Sequence, residues 1–537
     1  MPLRVPSRQG GALRGTWMIS QSEHNRRALN TDHVDKDLGD RAVRGGIVAI
    51  IAQPTRILIQ FVATAILARL LVPEDFGLVA MAMVVISFIG LFSDVALSYA
   101  TVQRFQIDQD TVSGLFFITL GIGCFLVPLV CGLAPLAAWF FNDPRITSLI
   151  IALSLTFPLT ALGSQHTALL LRSMRWMTLQ SAGILGHAAG ALAGVLVAWK
   201  TNLGYWSLVV TTLVANVVTL SSLWATCPWR PSLVSDWSGP RNALHFGTYL
   251  TGFGALNFFH RQLDNIIIGS HFGASELGYY SRSYQLMLLP LNLFSGPLSS
   301  AIDPSLSRLQ NEPERWRQAF LDALGLVMFL GAGAAACLIA VSGPLIMTVY
   351  GPGWEKSVTI FQWLATSLFA GVPMNATGWI YVSLGRTRQM FIWGLMFVPV
   401  IGVGFLVAIP YGPVGMAAAY TLVMNLSLIP CFAFATRGTP VSLPDTLRVI
   451  LPMAGSGSIA AVAGLLFSWP HNHKLVQLFF GATTSGLVYL ILAGGIIARA
   501  NVYAALRNRV ATLSSGVIGK AMKRASFHSG SSADEAK

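Results

Sequence analysis

The 537-residue chain is 54% hydrophobic and only 11% charged, with a mean hydropathy of +0.61 and a formal net charge of +13. Soluble domains carry about a quarter charged residues, so the composition excludes a soluble protein and describes a polytopic membrane protein. Its basic residues lie between apolar segments rather than along one soluble face, which excludes nucleic acid as partner and turns the charge into a statement about topology.

Residues 1 to 42 mix Arg and Asp with Gly, Ser and Asn and hold no apolar core of signal-peptide length, so they read as a disordered cytoplasmic tail. About 20 residues cross roughly 30 Å of hydrocarbon. On that measure the chain predicts helices over 43–71, 77–101, 112–141, 146–170, 178–200 and 204–224, a first lobe of six within 43–224. A cytoplasmic linker over 225–241 follows. The next windows are 242–271, 279–301, 318–342, 355–383, 388–409 and 413–435, a second lobe of six within 242–435. Two more, 447–468 and 475–498, lie within 436–498, and residues 499–537 form a basic cytoplasmic tail. The fold class expected is an all-α membrane protein with about fourteen spans. In the tail Arg507, Arg509, Lys520, Lys523 and Arg524 suit the anionic cytoplasmic leaflet.

Loop charge sets the orientation. Arg104, Arg172, Arg175, Arg230, Arg241, Arg308, Arg315, Arg317, Arg386, Arg388, Arg437 and Arg448 fall on one side with both tails. Arg145, Lys200, Lys356 and Lys474 fall on the other. Positive charge stays inside, so both termini are cytoplasmic.

The halves resemble each other. ARLLVPEDFGLVAM from Ala68 and IGSHFGASELGYYS from Ile268 each end a helix with an acidic turn and a glycine, Gly77 and Gly278, 201 positions apart. The orientation is the same in both, so the repeat is parallel, an arrangement that places substrate between the halves.

Between residues 243 and 273 a membrane-length segment is interrupted by His260, Arg261, Gln262, Asp264 and Asn265. Lipid cannot solvate such groups, so they face protein or a watery cavity. His260 and Asp264 stand at i,i+4, and Arg261 and Asp264 at i,i+3, so the three can meet on one face, as a functional cluster or as a self-neutralised pair. In the first helix Arg56, flanked by Gln53, Pro54 and Gln60, lies about 18 Å past Arg44 at 1.5 Å per residue, too deep to snorkel. Gln60 is the repeat mate of Arg261. A shared space lined by Arg56, Gln60, Arg261, Asn265 and Arg282 suits a pyrophosphate, because arginine offers permanent charge and paired donors; a structural arginine is the alternative. Asp264 and Asp94 are the carboxylates able to carry a coupling ion.

Tyr279, Tyr280, Arg282 and Tyr284 place rings where sugars could stack, although tyrosines at this depth also form the interfacial belt. Asn375, Trp379 and Tyr381 allow the same two readings. Arg69 beside Glu74 and Asp75 reads as an interfacial ion pair. Gly186, Gly190 and Gly194 at four-residue spacing let a neighbouring helix approach closely. The five scattered cysteines form no disulfide framework. His471 and His473 are too few for a metal, and GVIGKA lacks Walker spacing, so no metal or cofactor is expected. Loops too short for a catalytic domain predict a protein that is not an enzyme.

ARLLVPEDFGLVAM, SYATVQR, LDNIIIGSHFGASELGYYSRSYQL, DPSLSRLQ, YGPGW and SLGRTRQ, in that order, resemble the polysaccharide-transport branch of the Wzx-like flippases. That branch belongs to the superfamily that also holds MATE exporters and MurJ. The similarity covers about residues 43 to 500. It implies a V-shaped bundle of two six-helix lobes with two extra helices in a bacterial inner membrane. It also implies transfer of undecaprenyl-diphosphate-linked oligosaccharide from the cytoplasmic to the periplasmic leaflet, for exopolysaccharide or lipopolysaccharide assembly, alongside a polymerase and export machinery. A MATE-type cation exporter would favour buried carboxylates in the first lobe, where this chain has Arg56. A membrane-embedded polymerase or ligase would be expected to carry a substantial outer loop.

Overall fold

The structure, a computed structural model, describes residues 38–93, 101–102, 107–468 and 473–499, with Asn25 and Leu29. Asp94, Arg104 and the basic tail lie outside the described residues, and so does the side chain of His260.

Among the described residues the regular structure is helical. The helices are α1 (Leu38–Leu70), α2 (Pro73–Gly90), α3 (Gln109–Phe140), α4 (Arg145–Ser154), α5 (Thr156–Arg172), α6 (Trp176–Lys200), α7 (Trp206–Thr226) and α8 (Ser238–Arg308). They continue as α9 (Pro313–Ala340), α10 (Ser342–Val349), α11 (Glu355–Thr366), α12 (Leu368–Ser383), α13 (Thr387–Ala408), α14 (Gly412–Ala435), α15 (Leu443–Ser468) and α16 (Lys474–Arg499). Starts follow local chemistry. Pro73 opens α2 with its missing N–H at a position that needs none, Glu74 and Asp75 face the positive helix end, and Asp75 accepts from the Val72 N–H at 3.2 Å.

The 71 residues of α8 are two helices in succession. Gly273 has φ 82° and ψ −177°, a backbone conformation in which a side chain would be strained. The chain therefore breaks where the predicted windows 242–271 and 279–301 part. By length and apolarity, ten segments among the described residues can cross a membrane, or eleven if α11 and α12, bent by 46°, are one span. Neither arm of α8 is among the ten.

The described chain divides into two compact units. The first comprises Met1–Arg282, Val349–Lys356 and Phe405–Met416, and the second the remainder. In the first, α6 packs on α1 and α7, and α3 packs on α4 and α5. Glycine permits the α6–α7 approach, since a Cβ on Gly190 would lie 2.4 Å from the Thr211 carbonyl oxygen. Within the expected tail, Asn25 is buried and exchanges two hydrogen bonds with the Arg230 backbone at 2.9 and 3.0 Å. In the second unit α9 packs against α12, α15 and α16, and the Tyr489 hydroxyl donates to the Phe329 carbonyl at 2.7 Å.

Candidate functional site

Arg56 sits on α1 two residues after Pro54 and turns toward α6. Its Nη2 donates to Gln53 Oε1 at 2.6 Å, and a Cβ on Gly183 of α6 would stand 3.5 Å from its Nη1. The glycine face leaves room for the guanidinium. Arg56 Nε is buried without a hydrogen-bond partner among the described residues. A buried guanidinium N–H left without a partner is costly unless something answers it. Gln60, one turn further on, is exposed.

On α8, Asp264 is buried at 3% exposure. Its Oδ1 accepts from the Asn265 backbone N–H at 2.8 Å and its Oδ2 from the Tyr280 hydroxyl at 3.0 Å. Arg261 is exposed and forms no ion pair with Asp264. The i,i+3 spacing allows that contact without requiring it, and a tyrosine beyond the Gly273 break takes its place. The self-neutralised pair, one of the two readings of this spacing, is therefore not formed between Arg261 and Asp264. Asn265 Nδ2 donates to Gln262 Oε1 at 2.7 Å, while its own Oδ1 is buried without a partner among the described residues.

Arg282, on the second arm of α8, places its guanidinium 4.8 Å from the centre of the Phe76 ring, a cation–π contact. Its Nε, like that of Arg56, is buried without a partner among the described residues. The Tyr350 hydroxyl lies beside it, donating to the Arg282 carbonyl at 3.4 Å. Trp354 packs on Phe76 at 5.5 Å, Tyr350 at 5.1 Å and Tyr279 at 5.9 Å between ring centres. Its Nε1 donates to the Ala68 carbonyl at 3.0 Å. Lys356 pairs with Glu276 and lies over the Tyr279 ring at 5.7 Å. Glu74 pairs with Arg145 at 2.5 Å, and Arg69 donates to the Val349 carbonyl at 3.3 Å. Burial raises the Asp143 carboxyl pKa, but the hydrogen bonds and charge of Arg145 outweigh it and hold the group below its ordinary value.

The structure thus joins Asp264 to Tyr280, and Arg282 to Phe76. It forms no hydrogen bond or ion pair linking Arg56 or Gln60 with Arg261, Asn265 or Arg282. Tyr280 is fully buried and Tyr279 is covered by Trp354 and Lys356, so the four-residue run does not present one face to a sugar. In the second unit, Asn375 and Trp379 line a small cavity between α8, α9 and α12, where Trp379 Nε1 donates to Ser299 Oγ at 3.0 Å. Tyr381 is buried nearby on α12. Sequence reasoning missed Phe76 and Trp354. The aromatic in each of the PEDFG and YGPGW stretches was the available signal.

Residues 66–359 match the model of a family described as polysaccharide biosynthesis protein. The succinoglycan biosynthesis transport protein ExoT of Rhizobium meliloti (strain 1021) is 24% identical over 444 residues, covering 81% of this chain and 89% of the relative. The lipopolysaccharide biosynthesis protein WzxC of Escherichia coli (strain K12) is 23% identical over 402 residues, 73% of this chain and 80% of the relative. Among solved structures, the lipid II flippase MurJ in an inward closed conformation superposes with a TM-score of 0.67 at 15% identity, covering 85% of this chain and 99% of that one. An inward-facing MATE multidrug transporter gives 0.57 at 14% identity, covering 73% of this chain and 97% of that one. At these identities the likeness is one of fold. The family match takes in more than half of the sequence, from the end of α1 into α11, and the chain is a member of this family of polysaccharide biosynthesis proteins.

Proposed function

We propose that the chain is a flippase, and not an enzyme. It moves undecaprenyl-diphosphate-linked oligosaccharide from the cytoplasmic to the periplasmic leaflet of a bacterial inner membrane by alternating access, serving exopolysaccharide or lipopolysaccharide synthesis. One observation carries this: Arg56 and Arg282 are permanent cations set among membrane helices, each with a buried Nε that has no partner among the described residues. An anionic cargo answers such groups, and a diphosphate matches the paired donors of a guanidinium. In this reading Arg56, Gln60, Arg261, Asn265 and Arg282 receive the cargo, and Asp264 and Asp94 are the coupling carboxylates. The chain crosses the membrane fourteen times in two six-helix lobes and a final pair, with both termini in the cytoplasm. A polymerase and the export machinery take the product onward.

Relatives named for succinoglycan and lipopolysaccharide biosynthesis support this reading over a cation exporter. Loss of the protein should stop surface polymer and leave lipid-linked units facing the cytoplasm. Unchanged polymer output in its absence would count against the proposal.

A further inference from the structure

We propose that Pro73–Gly77 on α2 and Ala274–Gly278 on α8 form a clasp that closes the outer end of the translocation path. The inference rests on the flippase reading above, and it adds the residues that do the closing. A Cβ on Gly77 would lie 1.7 Å from the Ala274 carbonyl oxygen, and one on Gly278 would lie 1.8 Å from the Pro73 carbonyl oxygen. Real Cβ atoms essentially never come within 3.0 Å, so each contact exists only because the residue is glycine.

The two contacts are reciprocal. Pro73 and Ala274 stand 201 positions apart, as do Gly77 and Gly278, so each glycine touches the repeat mate of the residue its own mate touches. That exchange is what a two-fold arrangement of like elements produces. One layer away a second pair of repeat mates is covered, by aromatics that are not mates of each other. Ala68 and Gly269 are also 201 apart, and each is covered by an aromatic from the other half: Trp354 donates to the Ala68 carbonyl, and the Phe141 ring lies 2.9 Å from where a Gly269 Cβ would be. Loop charge puts this end outside, beside Arg145 and Lys356. Leu78, the residue after the first clasp segment, and Leu277 within the second are fully buried, and Arg282 lies on the ring of Phe76, the residue before Gly77. Glycine faces that meet without interlocking side chains can part and close again, which a transport cycle requires.

The test uses the full chain with its five cysteines replaced by alanine and Leu78→Cys as reporter. Intact cells are treated with a membrane-impermeant maleimide from the periplasmic side. The reporter should be protected in the parent and in Gly121→Ala, where a Cβ meets nothing within 4 Å. It should label several-fold faster in Gly77→Ala and in Gly278→Ala. Alanine is the better helix former, so opening would not reflect a melted helix. Trp354→Phe, which removes the hydrogen bond to Ala68 and part of the ring packing on Phe76, should raise labelling as well and serves if an alanine variant fails to reach the membrane. Unchanged protection in membrane-inserted Gly77→Ala, Gly278→Ala and Trp354→Phe proteins would overturn the clasp. Labelling needs no cargo, so a chain whose clasp opens on substitution yet moves no lipid-linked sugar contradicts the flippase reading alone.

Discussion

Asp264 is a buried carboxylate on α8 whose two oxygens are already engaged. The Tyr280 hydroxyl and the Asn265 N–H satisfy it, and Arg261 stands apart. Tyr280→Phe should therefore destabilise the protein in detergent by about 1–3 kcal/mol, the cost of stranding a buried acceptor. A double-mutant cycle should find coupling between positions 264 and 280 and close to none between 261 and 264. Strong 261–264 coupling would restore the salt-bridge reading. The sequence shows why that reading was open: the helical spacing of Arg261 and Asp264 is plain, whereas Tyr280 lies 16 residues on, past the break at Gly273, and nothing in the spacing says that it folds back. Arg56 was legible from its depth alone. Its orphaned Nε was not, because that depends on what α6 places opposite it.

Glycine spacing governs how the helices meet, and the spacing, though not its partner, can be read from the sequence. GHAAGALAG announces a close approach on α6. That Thr211, Ala215 and Thr219 of α7 fill it emerges only when the two helices are seen together. Gly190→Ala should cost roughly 1–3 kcal/mol through overpacking against the Thr211 carbonyl. Gly121→Ala, facing open space, should gain up to about 1 kcal/mol from propensity. Thermal midpoints in detergent compare the two, and equal shifts would remove packing as the cause. Helix boundaries moved for local reasons. The second helix begins at Pro73, before the predicted 77, because proline and two acidic residues suit a first helical turn. It ends at Gly90, and residues 94–100 of the predicted window 77–101 lie outside the described residues.

For the whole molecule, the all-helical membrane class followed from composition, and the fold is shared with MurJ and MATE proteins. Composition could not foresee that Val349–Lys356 joins the unit that ends at Arg282, since that rests on the bonds of Trp354 and Lys356 to Ala68 and Glu276. The orientation has its own test. Reporter fusions after Arg175, Arg317 and Arg437 should report cytoplasm, and fusions near Ser275 and Lys356 should report periplasm. One reversed site would break the proposed fourteen-span topology.

The most direct test of the central claim is reconstitution. The purified chain is placed in proteoliposomes with labelled undecaprenyl-diphosphate oligosaccharide, and movement between leaflets is followed with and without imposed ion gradients. The wild-type protein should translocate the lipid, Arg56→Ala and Arg261→Ala should not, and Arg→Lys at either position should recover only part of the rate because the paired donors are lost. Lipid-linked oligosaccharide that stays in its starting leaflet with folded wild-type protein, under every gradient tried, would contradict the account.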